Sequence, residues 1–257
     1  MNKRSSWALP YFIFMVLFVV LPLLLIVFYS LQDGSGHFTL ANIGKFFTDK
    51  DALSTFALSI EVAIENTFIC ILLGYPAAYI LADKRLNRSA VTVVLFILPM
   101  WINALMRTLA TAELFNMAGI ALGKGTLLFG MAYDYLPFMI YPIYNVLNKM
   151  DKSYSEAAQD LGATPGQVFR KVTLPLSMPG IMSGVMMVFM PTVSTFAISE
   201  FLTNNKIKLF GTIIQENINN SMWNYGAALS LVMLLIIGIT TFLQGGEAQE
   251  EATGGLI

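Results

Sequence analysis

The first apolar run of the chain, Ala8 to Leu31, strongly limits the folds that are possible. It holds about 24 residues with no charged side chain, and about 20 are enough to cross the hydrocarbon core of a bilayer. A cleaved signal peptide is the alternative. The run is too long for one, and no small-residue cleavage site follows it, so we expect a retained membrane helix.

The composition agrees with a membrane location and excludes several kinds of site. The 257 residues are 56% hydrophobic and 12% charged, with a mean hydropathy of +0.67, whereas soluble domains carry about 25% charged residues. The single cysteine, Cys70, excludes an internal disulfide, and the single histidine, His37, excludes a histidine cluster. No basic patch with interleaved aromatic residues suggests a nucleic acid. We therefore expect no catalytic residues and no metal site.

Five more apolar segments complete an all-α integral membrane protein with six transmembrane helices. Residues 1–56 are predicted to form the first helix, at about 8–31, and an outer loop at 32–56. Residues 57–243 form the transmembrane core. The acidic, Gly-rich residues 244–257 are predicted to be a short disordered tail. A kink is expected at Pro76, a break at Pro99, and a short helix around residues 213–219. The core helices are predicted at about 57–82, 90–115, 126–147, 180–202 and 226–243.

The distribution of Lys and Arg predicts the orientation. Nine of these residues fall in the N-terminus, residues 83–89 and residues 149–179, against five in the alternate connections. Because cytoplasmic segments carry the excess of positive charge, both termini are predicted to be cytoplasmic.

The polar segment 149–179 carries its own helix signals. Ser153 and Glu156 have the spacing of a capping box, and Gly162 can take the left-handed conformation that ends a helix. Thr164 and Pro165 then mark the start of a second helix. This pattern predicts a helix–turn–helix at the membrane surface, joined to the following span.

The same segment resembles the EAA loop of permease subunits of ABC importers. The matching residues are Glu156, Ala157, Ala158, Gly162, Ala163, Phe169, Leu174 and Pro175, followed by Leu176 and by PGI at 179–181. The resemblance implies the MetI-like, type I permease fold, in which this loop is a cytoplasmic coupling helix seated in a groove of an ATPase subunit.

A narrower resemblance concerns the solute. The segments LGYPAAY at 73–79, PMWIN at 99–103, LPFM at 136–139 and WNYGAA at 223–228 resemble permeases of spermidine/putrescine importers, the PotB type more than the PotC type. This implies a bacterial cytoplasmic membrane and three kinds of partner: a PotC-like second permease, an ATP-binding subunit dimer and an extracytoplasmic polyamine-binding protein. It implies no cofactor on this chain, with ATP and Mg bound by the ATPase. Consistently, Gly123-Lys124 lacks the remainder of a phosphate-binding loop.

Several acidic residues are candidates for contacting a polyamine. Charge at membrane depth is costly and usually faces a pathway or a partner. Carboxylates would replace the hydration of ammonium groups, and aromatic faces would add cation–π attraction. The alternative is that Asp134 or Glu200 pairs with Arg107 and that Glu61 and Glu65 lie at headgroup level. The predicted path residues are Asp134, Glu200, Trp101, Tyr133, Glu61 and Glu65.

Two other functions remain open at this point. One is a permease for another small solute, such as another organic cation, an amino-acid-like solute or iron, because related permeases share several of these motifs. The other is a channel or membrane scaffold, which would have no use for an EAA loop. The sequence does not distinguish between individual polyamines.

Overall fold

The computed structural model describes residues 9–83, 86–87 and 89–254, and its regular elements there are helices, apart from one isolated bridge between Gln32 and Phe38. The predicted all-α class is confirmed. Five of the basic residues used for the orientation (Lys3, Arg4, Lys84, Arg85 and Arg88) lie outside the described residues.

Helix α1 comprises Leu9–Met15, a π-helical turn at Val16–Val20 and Leu21–Ser30, close to the predicted 8–31. The π turn ends two residues before Pro22, whose missing amide hydrogen interrupts the regular helical hydrogen bonds. Nearly all of its side chains are apolar, and most of them are exposed; Tyr11 and Phe18, for example, are 68% and 67% exposed. Such a surface suits lipid or another membrane protein.

The predicted outer loop at 32–56 is wrong in its second half. It contains helix α2, Ala41–Thr48, and the first turns of helix α3, Lys50–Ala82. Asp49 caps α3 by accepting the amides of Asp51 and Ala52 at 3.0 and 3.2 Å. A hydrogen bond from the Tyr225 hydroxyl, and then these amides, lower the pKa of Asp49.

Helix α3 therefore starts at Lys50 rather than at the predicted residue 57. The apolar run begins only at residue 57, but a helix extends beyond the hydrocarbon wherever its first amides are capped. As a consequence, Glu61 and Glu65 lie in the interior of a helix and not in its first turns.

The predicted break at Pro99 is confirmed and is sharper than a kink. Helix α4, Ala90–Ile97, ends in a 3₁₀ turn at Leu98–Trp101, and helix α5, Ala104–Met117, leaves at 92° to it. Asn103 starts α5 by accepting the amides of Leu105 and Met106 through Oδ1, at 2.9 and 3.3 Å.

Helix α6 is Lys124–Lys149, somewhat longer than predicted. The helix predicted at 180–202 is divided into α9, Met178–Ser194, and α10, Ala197–Thr203, so the prediction of one continuous helix is wrong. The break between α9 and α10 coincides with a contact from a segment further along the chain. Gly211 lies so close to the break that a Cβ there would overlap the carbonyl oxygens of Ser194 and Thr195.

The predicted short helix around residues 213–219 is confirmed as α11, Phe210–Asn219. Helix α12, Trp223–Gly254, continues beyond the predicted end at Leu243 and includes most of the tail that was predicted to be disordered. Ala, Gln and Glu in that tail are good helix formers, and they allow the helix to continue past Gly245 and Gly246.

Helices α3, α6 and α9 pack against one another at the centre. Buried polar groups fix their register: Asn66 Nδ2 donates to Thr192 Oγ1 at 2.9 Å, between α3 and α9. The Phe210 amide donates to Ser59 Oγ at 2.7 Å, which ties α11 to α3. Such bonds hold one alignment because any other would leave a buried polar group unpaired.

Two of the described helices are long and apolar enough to cross a membrane alone, Pro10–Ser30 and Lys50–Ala82. If each bent pair of helices is counted as one span, α4 with α5 forms a third span, and residues 165–176 with α9 form a fourth. The predicted six also require α6 and α12. Helix α6 has 26 residues, or about 39 Å. It carries Asp134 in its interior, and the apolar part of α12 is shorter, Trp223–Ile239.

Candidate functional site

The polar segment between α6 and α9 folds into two short helices, as predicted, although the first is capped differently. Helix α7 spans Ser153–Asp160. The predicted capping box between Ser153 and Glu156 is wrong, because Asp151 Oδ1 accepts the Ser153 amide at 3.0 Å and Ser153 is already helical. This backbone hydrogen bond lowers the pKa of Asp151. A carboxylate is the stronger acceptor for the positive end of a helix.

Gly162 ends α7 in the left-handed conformation, as predicted, with a φ of +83°. Its amide donates to the Gln159 carbonyl at 2.8 Å, and the Ala163 amide donates to Ala158 at 3.0 Å. A Cβ at Gly162 would meet nothing within 4 Å, and Leu161 beside it is 90% exposed. This tip therefore presents an uncovered apolar side chain and an open backbone.

Helix α8 begins as the sequence indicated. It comprises Pro165–Val168, a π-helical turn at Phe169–Thr173 and Leu174–Leu176. Thr164 and Gln167 form a capping box: the Thr164 amide donates to Gln167 Oε1 at 2.9 Å, and the Gln167 amide donates to Thr164 Oγ1 at 3.4 Å.

The predicted EAA-loop residues divide into an outer and an inner set. Glu156, Ala157, Gly162 and Pro175 are exposed, while Ala158, Ala163, Phe169 and Leu174 are half-buried. Phe169 packs into the bundle between the rings of Tyr75 and Tyr79, with centroids 5.9 and 5.8 Å away. The loop thus has one face held by α3 and one face free.

Of the predicted path residues, Asp134 is buried and paired. Its side chain is 1% exposed, and its Oδ1 lies 3.2 Å from Nε of Arg107, which is 5% exposed. Thr108 Oγ1 donates to Oδ2 at 2.9 Å, and Arg107 Nη2 donates to the Asp134 carbonyl at 3.2 Å. The structure therefore has the Arg107 pairing that the sequence left open as an alternative.

The aromatic candidates lie nearer the surface. The guanidinium carbon of Arg107 lies 5.6 Å from the centre of the Tyr133 ring, which is 45% exposed. Trp101 is 87% exposed at the sharp turn between α4 and α5. Glu200 is half-buried on α10 and forms no ion pair within the described part of the chain. The structure does not bring Glu200 to Arg107.

Glu61 and Glu65 share one cation that the sequence analysis did not identify. Lys124 Nζ, at the start of α6, lies 2.7 Å from Glu61 Oε1 and 2.9 Å from Glu65 Oε1. Glu65 Oε2 is buried without a hydrogen bond, beside a cavity lined by Phe68, Ile69 and Leu128. The i, i+4 spacing of the two glutamates places them on one face of α3, but no local signal in the sequence indicates Lys124.

Comparison with known proteins identifies the chain. Residues 2–246 match the family described as the binding-protein-dependent transport system inner membrane component. The chain belongs to this family. It is thus an integral membrane permease subunit of an ABC importer, and not itself an enzyme.

Relatives of the permease are similar over nearly their whole length. It is 32% identical over 249 residues to "Spermidine/putrescine transport system permease protein PotB" of Escherichia coli (strain K12). The alignment covers 88% of this chain and 90% of that protein. The Haemophilus influenzae protein of the same name is 30% identical and covers 90% of this chain and 89% of the relative.

Solved structures agree with the fold of the permease. A bacterial ABC transporter involved in the import of the acidic polysaccharide alginate aligns over 94% of both chains, with a TM-score of 0.63 and 18% identity. The methionine transporter MetNI in inward-facing conformations aligns over 78% of this chain and 94% of that one, with a TM-score of 0.62 and 15% identity. These likenesses support the type I permease fold alone.

Proposed function

We propose that this permease forms half of the translocation path of an ATP-driven importer for spermidine or putrescine. The observation that carries the proposal is the similarity to spermidine/putrescine permeases over about nine-tenths of the chain. Its partners would be a PotC-like second permease, an extracytoplasmic polyamine-binding protein and an ATPase dimer that holds ATP and Mg.

The free face of the loop is the proposed contact with the ATPase. Leu161 is an uncovered apolar side chain, and Gly162 beside it leaves room for close approach. The resemblance of this loop to the EAA loop of ABC importer permeases carries this part of the proposal, and the free face leaves the tip accessible to a partner. Because ATP is cytoplasmic, the loop and both termini would face the cytoplasm, and the loop between α1 and α3 would face outward.

The proposed path is lined by Glu61, Glu65, Glu200, Tyr133 and Trp101, with Asp134 acting through the guanidinium that it holds beside the Tyr133 ring. Lys124 supports the choice of substrate class. A lysine side chain is an ammonium on four methylenes, which is the aminobutyl group of putrescine and spermidine. Two carboxylates of this chain thus already hold such a group, beside apolar side chains that suit its methylenes.

The function is tested in proteoliposomes that contain the permease, its second permease and the ATPase. We expect ATP-dependent uptake of labelled spermidine delivered by the polyamine-binding protein. Unlabelled putrescine should compete, and uncharged 1,4-butanediol should not. Uptake of another solute delivered by its own binding protein, with none of spermidine, would contradict the substrate assignment.

The path is tested by removing the internal cation. Lys124→Met leaves both glutamates available to the substrate, so the apparent KM for spermidine should fall, whereas Glu65→Gln should raise it. Since both groups are partly exposed, the changes should be about two- to fivefold. Lys208→Met is the control, because Lys208 forms another exposed ion pair, 2.6 Å from Glu216. Equal KM values in all variants would exclude the glutamates from the path.

A further inference from the structure

The joint between the loop and the membrane is fastened to helix α3. Helices α8 and α9 meet at Ser177 with a bend of 60°. Ser177 is fully buried, and its Oγ donates to the Leu174 carbonyl at 2.8 Å. Its Oγ also lies 3.0 Å from the hydroxyl of Tyr75 on α3. A serine hydroxyl has one proton, so Tyr75 is the donor to Ser177.

A second contact fixes the other end of the same segment. Phe169, at the start of the π-helical turn, meets the rings of Tyr75 and Tyr79 edge-on, at 81° and 85°. These tyrosines are one helical turn apart, and they therefore enclose the phenylalanine from both sides. Through Phe169 and Ser177, α3 holds α8 at two points eight residues apart.

Beyond the bend, α9 has little room to move against α6. A Cβ at Gly180 would lie 3.0 Å from the Pro142 carbonyl oxygen and 3.1 Å from Ile143 Cα. A Cβ at Gly184 would lie 2.7 Å from Met139 Sδ. Backbones at this separation move together, because interiors are packed without space for sliding. A displacement of the loop can thus be absorbed mainly at the bend, where Tyr75 holds Ser177.

We propose that Tyr75 and Ser177 are coupling residues: their hydrogen bond stops the bend from flexing, so that movement of the loop is passed to α3. The proposal rests on the proposed contact between the loop and an ATPase. Helix α3 carries Glu61 in its outer half, 14 residues or about 21 Å from Tyr75. One continuous helix would then link the loop to the proposed path.

The experiment uses the complete importer in proteoliposomes and measures ATP hydrolysed per spermidine imported. Tyr75→Phe removes one hydroxyl and keeps the ring against Phe169. We expect this variant to assemble and hydrolyse ATP, with the ratio of ATP to spermidine raised about two- to tenfold, the factor for one buried neutral hydrogen bond. Ser177→Ala should give the same change, and the double variant should add nothing further.

Tyr144→Phe is the matched control. Tyr144 packs against the same core cluster as Tyr75, and its hydroxyl forms no hydrogen bond with the described residues. It should keep the wild-type ratio. A wild-type ratio in Tyr75→Phe would overturn the proposal, as would its failure to assemble, which would show a role in folding only. Failure of the wild-type chain to bind the ATPase would instead contradict the proposed function.

Discussion

The buried pair of Arg107 and Asp134 allows a sharp test of whether a buried charge pair in this permease stabilises the fold or serves the substrate path. Both side chains are at least 95% buried. Replacing Asp134 by Asn keeps the shape and removes the charge that faces the guanidinium. Leaving one charge of a buried pair without its partner costs about 3–5 kcal/mol. Since domains have total stabilities of about 5–15 kcal/mol, that loss is a large part of the whole.

The double variant separates the two roles of Asp134. In Arg107→Met/Asp134→Leu the charges are replaced by apolar groups, which is often neutral or stabilising. Thr108 keeps a partner, because the Ala104 carbonyl lies 2.9 Å from its Oγ1 and takes its single hydroxyl proton once the carboxylate is gone. We therefore expect Asp134→Asn to unfold at a temperature about 6–20 °C lower, and the double variant to regain most of that loss.

The assay is thermal unfolding in detergent, followed by spermidine uptake in proteoliposomes. Glu113→Gln is the control, since Glu113 is exposed on the same helix as Arg107, and its effect should stay within about 0.5 kcal/mol. Wild-type stability of Asp134→Asn would refute the reasoning. A stable double variant that transports spermidine shows that Asp134 acts as a counter-ion. A stable variant that does not transport shows that the pair serves the substrate path.

Two further predictions concern the loop and the orientation. Gly162→Leu should reduce uptake without reducing membrane insertion, because leucine is strained at a φ of +83° and covers the open tip. Gly166→Leu, at an open helical position of the same loop, should have a smaller effect, and equal effects would contradict the role of the tip. In a Cys70→Ser background, a cysteine at Ser35 should react with an impermeant thiol reagent from outside, and one at Ser153 only after the membrane is opened. The reverse labelling would overturn the orientation.

The sequence predicted helices well where hydrophobicity alone decides their length. Helix α1 ends one residue before its predicted end, because one unbroken apolar run defines it. The start of α3 was missed because a capping carboxylate, Asp49, and not the apolar pattern, decides it. The break before α10 was missed for a different reason: the close approach of Gly211 depends on a contact between segments distant along the chain.

The candidate site shows the same division between local and distant information. The turn at Gly162 and the cap at Thr164 follow from neighbouring residues, and both were predicted. The cation between the two glutamates was not, because Lys124 comes 59 residues after Glu65. Asp134 and Glu200 were the two expected partners of Arg107, and the structure selects Asp134. The local sequence pattern thus predicts the turns and caps within a segment, while the partners of its charged side chains depend on how the helices pack.

The position of the buried pair also explains how this chain tolerates the irregular backbone between α4 and α5. The turn at Trp101–Asn103 interrupts helical hydrogen bonding, and within a bilayer lipid would offer no replacement donors or acceptors. Asn103 satisfies the first free amides of α5, and the Arg107 amide bonds to the Asn103 carbonyl at 3.2 Å. One helical turn after the break, the side chain of Arg107 ties α5 to α6 through both the carboxylate and the backbone of Asp134. The right-angled break is therefore held by the Asn103 cap and, one turn later, by the contacts between Arg107 and Asp134. Loss of the charge pair should loosen the position of Trp101 before it disrupts the rest of the bundle.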